Sequence, residues 1–140
     1  MFENILLAVD GSEHSLHAAR VASALAQAMK SQTLRIVVAF EPIPVHLGEP
    51  FMQETINARL REAEAIAQKA VETVGTISAA IYTDTLDGNP AVEFLQVAKS
   101  QNSKVIVMGS RGLGNVAGLL LGSTSQKVVS HALCPVLIAR

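Results

Sequence analysis

The sequence predicts one α/β domain: an open parallel sheet of five strands in the order 3-2-1-4-5, with helices on both faces. Three observations carry this. Short, continuous apolar runs alternate strictly with longer, Ala-rich segments of helical period. The runs lack in–out alternation, as strands buried on both faces do. The chain has 140 residues, 49% hydrophobic and 16% charged, which suits a single well-filled core spanning residues 1–140.

Residues 5–9, Ile-Leu-Leu-Ala-Val, are too short for a helix and end at Asp10-Gly11-Ser12, so they form the first strand. Residues 12–30 follow with Glu13, His17, Arg20, Gln27 and Lys30 on one helical arc and Leu16, Ala19, Ala22, Leu25, Ala26 and Met29 on the other. Asp10 or Ser12 caps this helix, with Glu13 in its acid-favouring first turn. Residues 34–40 are the second strand, and Pro42, Pro44, Gly48 and Pro50 make residues 41–50 a loop. Residues 51–74 carry a stripe of Ile56, Leu60, Ala63, Ala67, Ala70 and Val74, and Gly75 ends the helix.

The β-branched and aromatic content of residues 77–82 predicts the third strand, followed by a turn over 84–89. Asn89-Pro90 starts a helix whose apolar side is Val92, Leu95, Val97 and Ala98, ending near residue 100. Residues 105–108 are the fourth strand. Residues 122–132 are the last helix, with Ser123 and Gln126 spaced as a capping box, and residues 134–139 are the fifth strand.

Composition narrows the function. Aromatic residues are 4% of the chain, with no Trp, which argues against a module that stacks nucleic-acid bases. A net charge of −1 argues against a general polyanion binder but leaves room for a small anion held by backbone groups. The single cysteine, Cys134, excludes an intrachain disulfide and reads as a packing thiol. The N-terminal stretch has no basic n-region, and no apolar run reaches membrane-span length. A cytoplasmic protein without membrane insertion is the expectation. His14 and His17 are spaced as a metal pair could be, but no third ligand is placed with them, and a solvated face is the better reading.

Residues 105–125 hold five of the nine glycines: Gly109, Gly112, Gly114, Gly118 and Gly122. Taken alone these fit either a loop that wraps an anion or a flexible surface loop. Topology favours the first. Strands 1 and 4 are neighbours where the winding reverses, and open α/β sheets bind ligands there, beyond the strand C-termini. The residues at those ends are Asp10 and Gly109. The loop is neither a Walker P-loop nor a dinucleotide fingerprint; its spacing is Gly109-x2-Gly112-x9-Gly122-Ser123.

That spacing, with Val-Asp-Gly-Ser after the first strand, Gly-Asn-Pro-Ala before the third helix and Cys-Pro-Val-Leu-Ile-Ala at the end, resembles the universal stress protein family along the whole chain. The resemblance implies a Rossmann-like fold of the adenine nucleotide alpha hydrolase type. It also implies membership of the ATP-binding subgroup, because the glycine motif that separates binders from non-binders is intact. It implies nucleotide contacts at Asp10 (ribose or adenine side), Ala39, Met108 and Gly109 (nucleoside), and Gly112, Gly122, Ser123, Thr124 and Ser125 (phosphates). Backbone N–H groups at a helix start favour phosphate independently of the resemblance, and Mg²⁺ can travel with ATP on phosphate and water ligands. Asp10 and Ser123 also read as simple helix caps, and the roles can coexist.

The implied function is a regulatory or sensor module responding to ATP through conformation or assembly. The resemblance further implies a homodimer across the terminal strand, with higher oligomers open, and a transporter or signalling partner that no residue here identifies. The alternative is a slow ATPase or nucleotidyl-transfer enzyme on the same fold. Arg111 and Asp10 are its candidate groups, and no catalytic residue is assigned.

Overall fold

The doubly apolar runs become strands, and the Ala-rich stretches become the helices that cross between them. A computed structural model describes residues 1–42, 48–112 and 120–140. The order is β1 (Asn4–Val9), α1 (Glu13–Ala28), β2 (Thr33–Phe40), α2 (Phe51–Val74), β3 (Ala80–Asp87), α3 (Pro90–Ser100), β4 (Val105–Gly109), α4 (Ser123–His131) and β5 (Val136–Ala139). Every paired neighbour is parallel and the sheet order is β3-β2-β1-β4-β5, as the alternation predicts. Gly114, Gly118 and His46 lie outside the described residues.

The absence of polar alternation in the central strands follows from two packed faces. Ile5, Leu7, Val9, Ile36, Val38, Val105 and Val107 point to one side and meet α1 and α2. The intervening Leu6, Ala8, Val37, Ala39, Ile106 and Met108 point to the other and meet α3 and α4. The contact faces of α1 and α2 are largely alanine (Ala18, Ala19, Ala22, Ala26, Ala63, Ala67, Ala70), so both helices lie close on the sheet. No helix among the described residues is long and apolar enough to cross a membrane.

Three expectations are corrected. The third strand runs over Ala80–Asp87, not 77–82, and takes in residues expected to turn. As an edge strand it is largely exposed, so its pairing with β2, from Thr33↔Ala80 to Phe40↔Asp87, defines it better than hydrophobicity does. Ile77 and Ala79, whose apolar character moved the expected strand too early, pack at the approach from α2. Arg35 fastens this edge: its Nη1 donates to Asp84 Oδ2 at 2.8 Å, and its guanidinium lies 4.8 Å from the Tyr82 ring centre.

On α3 the buried face is Ala91, Phe94 and Ala98, while Val92 is exposed. At α4 the capping box does not form. Gly122 is the N-cap, no side chain caps the helix, and Ser123 is exposed.

Candidate functional site

The site begins with the turn that leaves β1. Gly11 has φ +88°, a conformation that suits glycine. This lets Asp10 fold back so that its Oδ1 accepts from the Ser12 N–H at 2.9 Å. Ser12 then caps α1, its Oγ accepting from the Ser15 N–H at 3.2 Å, while the Ser15 hydroxyl donates to the Ser12 carbonyl at 2.9 Å. Asp10 therefore shapes the turn, whereas the helix cap is Ser12. The second Asp10 oxygen, Oδ2, faces Gly112; a Cβ on Gly112 would lie 2.5 Å from it. Gly112 is thus a glycine because the carboxylate occupies the space a side chain would need.

Gly109 has a different reason to lack a side chain. A Cβ there would sit 2.7 Å from His14 Cβ and 2.8 Å from its carbonyl carbon. The first turn of α1 packs directly on the end of β4, and this holds the β1 and β4 ends in fixed register.

The far side of the site is the start of α4. The Ser110 carbonyl accepts from the Gly122 N–H at 2.7 Å and from the Ser125 hydroxyl at 2.9 Å. Ser110 also donates its N–H to the Ala139 carbonyl at 2.9 Å, tying the junction to β5. The strand end, the loop's return and the helix start are thereby clamped at one point. The first bond of the helix runs from the Gln126 N–H to the Gly122 carbonyl at 2.9 Å. The N–H groups of Ser123, Thr124 and Ser125 precede it, and among the described residues no carbonyl accepts from them. With no side-chain cap and no acid in the first turn, this end keeps its positive dipole and its donors for an anion.

These pieces line a cleft of about 220 Å³, which brings together Asp10, Met108, Gly109, Gly112, Gly122 and Ser123, with Thr124 and Ser125 beside them. Ala39, expected in the same site, lines an adjoining cleft of about 440 Å³ with Val38, Phe40 and Glu41. Asp10 and Pro90 border both, so the two are the halves of one trough across the strand ends. One half is rich in backbone donors and hydroxyls. The other has an apolar floor. Ser125 is buried, and its hydroxyl hydrogen goes to the loop, so its backbone N–H is what it offers a ligand. Arg111 is half-buried and lines the donor-rich half.

Several lining residues were not singled out from the sequence. Pro90 and Phe94 of α3 enter the donor-rich half. Their signal was available: Asn89-Pro90 marks a helix start, and the crossover from β3 to β4 must begin near the switch point. The Asn89 side chain caps that start, accepting from the Val92 N–H at 3.3 Å. Arg59, Glu62 and Ile66 of α2 wall the other half, and nothing in their spacing marks them. Cys134 lies away from the trough, and burial pushes its thiol pKa up, which fits a packing role.

Fold and trough define a doubly wound parallel α/β protein with a crevice at its topological switch point. The model of the universal stress protein family matches residues 1–140, and the chain belongs to that family. It is 48% identical over 140 residues to a universal stress protein of Thermus aquaticus encoded in the QAH/OAS sulfhydrylase 3′ region, covering 100% of both chains. Among solved structures it resembles the universal stress protein UspA from Lactobacillus plantarum, with TM-score 0.88, 27% identity, and 99% and 98% of the two chains covered. It also resembles a universal stress protein crystallised in complex with cAMP, with TM-score 0.68, 28% identity, and 99% and 97% covered.

Proposed function

We propose that this chain binds ATP along the trough and acts as a regulatory module whose conformation or assembly follows nucleotide occupancy. The observation that carries the reading is the junction of Asp10, Gly112 and the uncapped start of α4. The Asp10 carboxylate there occupies the position a Gly112 side chain would take, next to a helix end with no acid in its first turn and no side-chain cap. A nucleotide needs those two chemistries side by side: an acceptor for ribose hydroxyls and backbone donors for phosphate. The intact Gly109-x2-Gly112-x9-Gly122-Ser123 spacing supports the same reading. So does the relative crystallised with cAMP, an adenine nucleotide.

In this assignment the phosphates lie on the Gly112 loop and the N–H groups of Ser123, Thr124 and Ser125. The ribose meets Asp10, and the adenine lies against Ala39, Met108 and Gly109. Mg²⁺, when present, is held by phosphate and water. Chains pair along β5, and the protein works in the cytoplasm, a reducing compartment consistent with a lone half-buried thiol.

Calorimetric titration with ATP, with and without Mg²⁺, tests the reading. Saturable binding is expected in the wild type. It is expected to be lost in Gly122→Val, whose branched side chain crowds Arg111 and Gly112, with an unchanged far-UV spectrum. Folded wild-type protein that takes up no ATP at millimolar concentration would overturn it.

A further inference from the structure

A second hollow lies apart from the trough. At the opposite end of the sheet, below the N-terminal ends of β4 and β5, lies a cavity of about 540 Å³ between the C-terminal halves of α3 and α4. We infer that this cavity is a second ligand site, for a monoanionic carboxylate carrying an apolar tail. It is independent of the ATP reading.

The size falls in the range of small-molecule pockets, about 300–1,000 Å³. The walls come from Leu95, Ala98, Ile106, Ala132, Leu133 and Pro135, so the interior suits a hydrocarbon or aromatic body. Leu133 is 88% exposed at the rim, next to space it does not fill. The charges at the mouth are of one sign. Lys99 and Lys104 line it, His131 stands beside them, and no Asp or Glu is among the lining residues. Neither lysine makes an ion pair within 4.0 Å among the described residues; Lys104 Nζ donates to the Asn102 Oδ1 at 3.4 Å, and its charge also reaches the Glu3 carboxylate.

The helix directions select the anion. Both α3 and α4 end at this cavity, at Gln101 and Ala132, and so turn their negative dipole ends toward it. No cradle of N–H donors stands here as at the start of α4. A dianionic phosphate would face two helix C-termini with only side-chain cations in support. A single carboxylate between two lysines meets less opposition, and its tail supplies the apolar area the walls require.

Cys134 reports on occupancy, because it lines the cavity and is the only cysteine in the chain. The full chain, without nucleotide, is alkylated with iodoacetamide in the presence of decanoate, decanol or decylamine, and modification is followed by intact mass. Decanoate at about ten times its Kd should slow alkylation about tenfold, by mass action on the open form. Decanol and decylamine at equal concentration should protect weakly or not at all. Lys99→Glu/Lys104→Glu, which alters two exposed side chains, should lose the decanoate protection while keeping its melting temperature within a few degrees.

Equal protection by all three compounds would reduce the cavity to a non-selective apolar hollow. No protection by decanoate, or protection that instead rises with protein concentration and tracks self-association, would overturn the inference in favour of an empty cavity or a second copy of the chain.

Discussion

Gly109 and Gly112 show how one residue type meets two unrelated demands within four positions. At Gly109 the obstacle is the backbone of His14, and at Gly112 it is the Asp10 carboxylate. Backbone cannot step aside as a side-chain oxygen can, so the two predict different damage. Gly112→Ala should leave the fold in place, turn Asp10 from its position and weaken ATP binding by about tenfold or more, the loss of one well-placed polar contact. Gly109→Ala should instead force α1 off β4 and lower the denaturation midpoint by the equivalent of about 1–3 kcal/mol, the usual cost of overpacking. Urea denaturation of both variants beside ATP titration separates the two. The glycine spacing and the position of Asp10 were legible in the sequence; the reason for each glycine was not. What fills the space a Cβ would take comes from a segment about a hundred residues away, and no local pattern encodes it.

At the scale of elements, the two helix starts beside the trough are built in opposite ways. The start of α1 is closed by Ser12, whereas that of α4 is left open at Gly122 although a capping-box spacing is present. The box fails because Gly122 already holds the N-cap position, its N–H fixed by the Ser110 carbonyl, which places Ser123 one residue inside the helix. Ser12→Ala should therefore cost about 1 kcal/mol of stability. Ser123→Ala should cost less than about 0.5 kcal/mol, as an exposed position without a cap bond does. Chemical denaturation of the two single variants checks the contrast, and an equal loss in both would mean that Ser123 caps α4 in solution. The bounds of α2 were readable to the residue at 51–74, although Leu60, expected on its apolar stripe, is exposed. The third strand was not, because at a sheet edge hydrogen bonding to one neighbour sustains a strand that hydrophobicity does not announce.

For the whole molecule the deciding property is that the sheet has two unlike edges. The β3 edge carries Asp84 and Asp87 and is braced by Arg35; β5 is the apolar stretch Val136–Ala139 with exposed Leu133 just before it. The strand order was legible because strict β–α alternation leaves few right-handed ways to wind five parallel strands. Which edge associates is a matter of surface chemistry. Pairing along β5 predicts a dimer by multi-angle light scattering at micromolar concentration. Leu133→Lys, which places a charge on the exposed residue at the start of the pairing edge, should shift it to monomer. A wild-type monomer would remove β5 as an interface. The unlike edges also set a limit on growth. Two chains meeting β5 to β5 about a two-fold axis use up the apolar rim each offers, and the rims then facing outward carry the Arg35–Asp84 ion pair and Asp87, a surface of different chemistry. Such an assembly counts to two and stops, whereas a sheet with matching apolar edges would have added chains without end.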